Sequence, residues 1–335
     1  PVGTTSDFNV TAAHVNNPFN NTLRVRNRFV TNPRMYEYDT TFKRLVAGFK
    51  GEINDRLSYE TAINLNTSDL AYQNNGVIDA AGLLAAAGIN PAAASGTTAI
   101  NMFQGNISPA TVAAANFVGT AYNNFNSGLR SWDGRILYKA FDLSSGEVTV
   151  AFGGEIRRET LKGTADLNSI PDFDTGAIGW TGATSVNPFK ASRDVKAAFL
   201  EAMIPLANPK QGLRWAHAFD LDVAARYEKY SDTDDPLVPK ATFRWLPFND
   251  EFAVRGTWGK SFNAPTLYQL VGPSDVGFTP EVLLLPHGAA DVPANYVTGQ
   301  AQIRGGANPA LKPARSDAYT FGIVWSPKAV KGLST

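Results

Sequence analysis

Apolar and polar side chains alternate along runs of about ten residues, and the connections between those runs are short and long in turn. This pattern admits few folds. In residues 57–66, Leu57, Tyr59, Thr61, Ile63 and Leu65 fall on one face, with Ser58, Glu60, Ala62, Asn64 and Asn66 on the other. That is the two-residue period of a strand. Runs 131–140 and 147–157 repeat it, setting Trp132, Ile136 and Tyr138, then Val148, Val150, Phe152 and Ile156, against polar partners. Phe219, Leu221, Val223 and Tyr227 oppose a stripe of Asp220, Asp222, Arg226 and Glu228. Such a stripe needs water or a polar interior. Residues 237–246, 251–262 and a last run through Tyr319, Phe321, Ile323 and Trp325 complete the clear cases. Residues 40–51 and 192–204 alternate less cleanly, and the faces of 192–204 stay unassigned.

Nine strands follow, joined by short turns at 54–56, 142–146, 205–212, 247–250 and 327–332. The other connections are 67–130, 161–191, 231–236 and 263–314. In an up-and-down meander every tight turn then lies on one side, and the long loops lie on the other. Transmembrane β-barrels have this asymmetry, with strands apolar outside and polar inside. Tyr138, Tyr227, Trp245, Trp258, Tyr319 and Trp325 sit toward run ends on the apolar face, where a membrane girdle belongs. A soluble sandwich also alternates, but loops as long as 67–130 and 263–314 are uncommon in compact soluble domains. No run approaches the roughly 18 apolar residues of a membrane helix. Nine antiparallel strands cannot close, since the first and last run in the same direction. The chain therefore reads as an internal piece of a larger barrel, with Leu333–Thr335 opening a further strand. Val77–Ala94 reads as a short loop helix, with Asp79 before it and Gly88 and Pro91 at its end.

Lysine and arginine number 30 and aspartate and glutamate 30, so no net charge marks a nucleic-acid partner. Cysteine is absent, which excludes disulfides, cysteine-ligated metals and a cysteine nucleophile. His14, His217 and His287 lack metal-ligand spacing, and no catalytic constellation or cofactor motif stands out, so no enzymatic role is expected. Asp232, Asp234 and Asp235 lack the glycine and distal glutamate of a calcium loop and read as a solvated tip. Gly153-Gly154 and Gly305-Gly306 read as strand kinks or turns. The lumen-facing charges are Glu155, Arg157, Asp220, Asp222, Arg226, Glu228, Lys240, Arg244 and Arg255, suited to cross-strand pairing, a substrate path or plug docking. Trp180, Phe173, Asn123, Asn124, Phe125 and Tyr296 are substrate-contact candidates on the long loops, because aromatic and amide groups together suit sugars or chelates.

Four ordered motifs carry a family resemblance. Arg255-Gly-Thr-Trp-Gly-Lys-Ser-Phe-Asn-Ala-Pro-Thr-Leu-Tyr-Gln-Leu270 resembles the strand-end Phe-x-Ala-Pro corner of TonB-dependent outer-membrane receptors. Asn308-Pro-Ala-Leu-Lys-Pro313 before Tyr319, Gly322 and Trp325 is similar to that family's strand entry, although Ala314 and Arg315 replace its usual acid. Phe141–Gly146 with Gly153–Arg158, and Ala225–Ser231 with Pro239-Lys240 and Arg244-Trp245, extend the match over residues 40–335; Pro18-Phe19 is a fainter echo. The resemblance implies an all-β, antiparallel, 22-stranded barrel with a plugged lumen, of which about nine strands are present. It implies residues 1–335 as part of one barrel domain, with the plug and the C-terminal strands absent. It further implies a receptor in the outer membrane of a Gram-negative bacterium. Such a receptor imports a scarce large nutrient (ferric siderophore, cobalamin or oligosaccharide) with energy from TonB. Its partners would be TonB, outer-membrane lipid, the nutrient and a possible surface lipoprotein. The competing readings are a passive porin-like or adhesin barrel, and a soluble β-rich binding module.

Overall fold

The computed structural model describes residues 3–89, 100–104, 107–172, 177–181, 183, 185–278, 302–330 and 333. A hairpin of β1 (Gly3–Val10) and β2 (Leu23–Pro33) precedes β3 (Met35–Asn54) and β4 (Leu57–Asp79). Then come α1 (Ala80–Ala86), α2 (Pro109–Ala115), β5 (Val118–Leu143), β6 (Gly146–Ala165) and the two-residue β7 (Trp180–Thr181). After them follow β8 (Phe189–Ala207), β9 (Ala218–Tyr230), β10 (Leu237–Leu246) and β11 (Phe252–Asn263). The chain continues through α3 (Leu267–Val271), β12 (Asp275–Phe278), β13 (Gln302–Gly305) and β14 (Ala314–Trp325).

The nine strands expected from alternation form one antiparallel sheet in the order β3-β4-β5-β6-β8-β9-β10-β11-β14, and β7 clips onto the end of β4. Each barrel strand pairs with the next in sequence, so the wall is an up-and-down meander, open between β3 and β14 among the described residues. Local chemistry shapes the short turns. Asn54 Oδ1 accepts from the Arg56 amide at 2.9 Å between β3 and β4. Between β8 and β9, Asn208 and Gln211 form a reciprocal cap, and Gly212 takes the left-handed φ of 61° that ends it.

Five strands outrun their alternating segments, β3 among them, which starts at Met35 rather than at residue 40. β4 continues to Asp79, β5 starts at Val118, β6 reaches Ala165 and β8 starts at Phe189, so the expected loops 67–130 and 161–191 shrink to 80–117 and 166–188. The cause is that the outer face turns polar partway up. On β4 the outward residues change from Leu57, Tyr59, Ile63 and Leu65 to Thr67, Asp69 and Gln73, while the ladder to β3 and β5 continues. With both faces polar, a strand loses the signature that alternation reads. A 23-residue strand such as β4 extends about 75 Å, so even at a tilt of about 40° it rises well past a hydrocarbon core of about 30 Å.

The change can be followed from strand to strand, reaching β8 and β9 first: the outward Lys196 and Lys229 are register partners level with Ile156. Leu45, Leu65, Arg130, Arg158 and Asp194 are cross-strand neighbours on the outer face, and Arg158 pairs with Asp194 at 3.6 Å. Below this row the outer face holds Ile63, Trp132 and Ile156, then Phe152 and Leu200. Leu200 is 54% exposed and Trp132 50%. An exposed apolar face of this extent marks a surface covered by a membrane or a partner rather than by water. Trp245 and Trp325 lie beside the short turns, whereas Trp258 and Tyr319 are cross-strand partners higher up, with Lys260 and Asp317 paired above them. Trp245 and Trp325 thus stand at the turn end of the outer face, and Trp258 and Tyr319 toward its opposite end.

Above the band, β2, α1, α2 and the ends of β4 and β5 bury a separate core containing Phe29, Ile78, Leu83, Ile100, Val112 and Phe117. Phe29 and Phe117 rings lie 5.3 Å apart. Each such side chain contributes about 1.5–3 kcal/mol on burial, which gives this crown its own cohesion. The helix expected at 77–94 is shorter: Val77–Asp79 belong to β4, Asp79 caps α1 by accepting from the Ala81 amide at 3.2 Å, and residues 90–94 lie outside the described residues.

Candidate functional site

The polar inner face of the sheet holds the expected lumen charges in two arrangements. Arg157, on β6, donates to Glu159 at 3.0 Å, to Glu155 and Glu228 at 3.4 Å each, and to the Tyr230 hydroxyl at 3.0 Å. Arg226, on β9, donates to Glu155 and Glu228 at 2.6 Å each, and the Tyr230 hydroxyl donates to Glu228 at 2.6 Å. Glu155, Arg157 and Arg226 thus belong to one ionic cluster spanning β6 and β9, across the small inner-face Ala197 of β8. Asp220 pairs separately with Arg244 at 3.4 Å. Asp222, Lys240 and Arg255 share the face without joining either group; Arg255 lies opposite Arg244 and over Gly322, whose missing side chain leaves it room.

Arg193 was not anticipated, because the alanine-rich stretch of β8 gave no face to read. It is 4% exposed, and its Nε contacts both Asp232 carboxylate oxygens at 2.8 and 2.9 Å while Nη2 donates to the Pro265 carbonyl at 2.6 Å. Asp232 is therefore no free loop tip. Asp235 accepts from the Tyr230 amide at 3.0 Å and the Tyr227 hydroxyl at 3.2 Å, and Asp234 pairs with Arg315 at 3.7 Å. The three aspartates have separate partners, and no group of metal-binding side chains occurs among the described residues. Arg193 draws the Phe262–Pro265 corner inward, and α3, capped reciprocally by Thr266 and Gln269, carries Leu267 and Leu270 against the wall.

This inward fold divides the upper lumen into two cavities that share Tyr268. The lower, about 630 Å³, is bordered by Arg157, Glu159, Arg193 and Tyr230. The upper, about 340 Å³, is lined by Tyr38, Leu70, Tyr72, Asn123, Phe125, Ser185, Val186, Phe189, Tyr268 and Pro273. Register explains the convergence. Tyr38, Tyr72 and Asn123 form one inward row, and Leu70, Phe125, Gly163 and Phe189 the next. A side chain at Gly163 would collide with Phe189 and crowd Phe125, so glycine lets these rings meet, 6.5 Å apart. Tyr38 and Tyr72 rings lie 4.9 Å apart, and Tyr72 is stacked with Tyr36 at 6.0 Å. Burial, together with the neighbouring Tyr38 and Tyr36, pushes the Tyr72 hydroxyl up to about 12, so it stays a neutral donor.

Asn123 is 2% exposed and its Oδ1 has no hydrogen-bond partner among the described residues. A buried unpaired polar atom costs roughly 1–3 kcal/mol. Asn124, its neighbour on β5, points to the outer face and is exposed, as the strand period requires. Both were expected on a loop, and both are strand residues. Trp180 braces the loop after β6 instead, its Nε1 donating to Asp166 at 2.7 Å. Phe173 and Tyr296 lie outside the described residues.

Asp166 also accepts from Ser169 Oγ at 2.7 Å and from the amides of Tyr122, Asn168 and Ser169 at 2.8, 3.0 and 3.1 Å. Burial opposes its ionisation, yet the hydrogen bonds from Ser169, Tyr122 and Trp180 outweigh burial and hold the carboxyl below its ordinary range. A depressed folded pKa stabilises the clasp fully above the unfolded value of about 3.9, and this contribution is lost as pH falls through the folded pKa. The Trp180 emission, obtained by subtracting the Trp180→Phe spectrum, should therefore hold steady to about pH 4 and change only below it. A transition between about pH 5 and 6 would contradict the assignment.

The chain matches the family described as "TonB dependent receptor-like, beta-barrel" over residues 2–334. No curated protein matches. Among solved structures, the fold is similar to the RagAB peptide transporter, with 10% identity and a TM-score of 0.50, covering 90% of this chain and 30% of that one. It is also similar to the siderophore receptor PirA from Pseudomonas aeruginosa, with 12% identity and a TM-score of 0.41, covering 97% of this chain and 53% of that one. The chain thus spans less than a third of the first of these and about half of the second. Members of this family are outer-membrane receptors and transporters rather than enzymes. With nine meandering strands, an apolar outer band and a polar lumen, the chain belongs to the TonB-dependent receptor β-barrel family.

Proposed function

We propose that this chain forms part of the barrel wall of an outer-membrane receptor that captures a scarce large nutrient at its extracellular end and imports it with energy relayed by TonB. One observation carries the reading: the lumen face above the lipid band holds partly enclosed cavities roofed by the inward-folded α3. A wall that only had to hold a membrane pore open would not need that roof. In this reading the lumen charges Glu155, Arg157, Asp220, Asp222, Arg226, Lys240, Arg244 and Arg255 face a plug supplied by the same polypeptide. Trp245, Trp258, Tyr319 and Trp325 meet the lipid interfaces, and the crown of β2, α1 and α2 is open to a lipoprotein partner.

The test is growth of the Gram-negative host on limiting nutrient with the receptor gene intact or deleted, in backgrounds with and without TonB. Deletion should abolish use of one large nutrient only where TonB is present. Uptake that persists without TonB would leave a passive barrel. The native polypeptide, extracted with detergent from the outer membrane, should weigh well above 36.0 kDa.

A further inference from the structure

We infer that the upper cavity is a subsite for a neutral, polyhydroxylated ligand, an oligosaccharide, rather than for an anionic ferric chelate. The inference rests on the receptor reading and names its substrate class. The first support is the surface chemistry. Tyr38, Tyr72, Phe125, Phe189 and Tyr268 present aromatic rings to the cavity, and aromatic faces stack against the apolar C–H faces of a pyranose ring. Phe189 and Tyr268 meet edge to face at 5.5 Å, so the rings border one chamber from two sides.

The second support is a polar atom with nothing to bind. Asn123 lines the cavity, is nine-tenths buried and more, and keeps its amide oxygen unpartnered among the described residues. Asn74, its diagonal neighbour on the same face, also has an unpartnered amide. A side-chain amide accepts through oxygen and donates through nitrogen, which suits adjacent sugar hydroxyls. Buried polar atoms are normally paired, so an unpaired amide on a residue that lines a chamber marks where a ligand group, reached by a small turn of the side chain, would be satisfied.

The third support is charge. No charged side chain lines this cavity among the described residues. The guanidinium groups of the adjoining lower cavity are neutralised, Arg157 by Glu155, Glu159 and Glu228, and Arg193 by Asp232 and Glu159, while Arg34, whose charge reaches Tyr72, sits over the Tyr36 ring at 5.2 Å. An anionic chelate entering here would lose water without meeting a charged side chain in the cavity lining among the described residues. A peptide would look for free backbone partners, but the backbones of β4, β5 and β6 are consumed by their ladders on both sides.

The experiment uses the full-length receptor purified in detergent. Binding is read on an array of neutral glucan, xylan, mannan and galactan oligosaccharides, and by calorimetry with ferric enterobactin and ferrichrome. The expected result is binding of at least one neutral oligosaccharide, unaffected by either ferric siderophore. Tyr72→Ala and Asn123→Ala should each weaken it at least tenfold, and Tyr72→Phe by less. Folding of each variant is checked by resistance to SDS before heating. Silence of the whole array, or glycan binding that folded Tyr72→Ala and Asn123→Ala variants retain, overturns the proposal. So does a siderophore competing for the site. The receptor reading fails separately: a glycan that binds but whose use does not depend on TonB leaves the subsite standing and removes the energy-coupled import.

Discussion

Replacing Arg193 by alanine should release the Phe262–Val271 corner from the wall and make its amides exchange far faster. Arg193 is the buried link between β8, the loop carrying Asp232 and the Pro265 carbonyl. Breaking a buried charged pair costs roughly 3–5 kcal/mol, because the remaining partner is left uncompensated. Here the remaining partner, Asp232, keeps 22% of its side chain exposed, so water relieves part of that loss. The expected cost is therefore at the low end, about 3 kcal/mol, or roughly a hundredfold in opening. The reporters are the Leu270 and Gly272 amides, which donate to Thr266 and Tyr268 within α3. Arg193→Met with Asp232→Leu should cost less than the sum of the single changes, since no lone charge remains. If the two amides keep their native exchange in Arg193→Ala, then burial of Leu267 and Leu270 alone holds the corner. In that case the two-chamber division of the lumen does not depend on the arginine.

Much of this wall was legible in residues 57–66, 131–140, 147–157 and 219–228, because lipid on one side and water on the other impose a chemical difference at every second residue. The reading ended where that difference ended. Thr67–Asn75 continue β4 with polar residues on both faces, so the sequence pattern dissolves while the hydrogen-bond ladder persists. The same limit hid the upper cavity. Asn123 stands out by its amide, but with residues 67–130 read as a loop nothing places it inward and Asn124 outward. Tyr38, Tyr72 and Phe189 come from segments far apart in sequence and meet only through the register of β3, β4, β5, β6 and β8. Arg193 was hidden for a different reason: the alanines around it leave β8 without contrast between its faces. Its acid, Asp232, lies 39 positions away. The Phe262–Pro265 corner was recognised as a family motif, but its inward fold depends on that unseen arginine.

An arginine at Leu200 should destabilise the barrel strongly, whereas an arginine at Thr67 should change it little, although both positions lie on the outer face. Leu200 pairs with Phe152 and Ala225, between the turn-side residues and the Arg158–Asp194 row, and it is 54% exposed. In a barrel surrounded by lipid this is the middle of the hydrocarbon. There an arginine costs about 2–4 kcal/mol, against about 0–1 near the interfaces. Thr67 pairs with Lys43 and Gly128, one row above Leu45, Leu65 and Arg130, where the outer face has turned polar. Reversible folding into lipid vesicles, followed by denaturant titration, measures the difference directly. Water on both faces predicts no such contrast: in a soluble sandwich, an exposed leucine replaced by arginine changes stability by no more than about 0.5 kcal/mol, as little as the change at Thr67. The contrast between two substitutions of identical charge thus brackets the upper edge of the membrane between Leu200 and the row of Lys43, Thr67 and Gly128. Everything above that edge, including Tyr72 and Asn123, then stands in the extracellular half of the receptor, where a ligand arriving from outside first meets the wall.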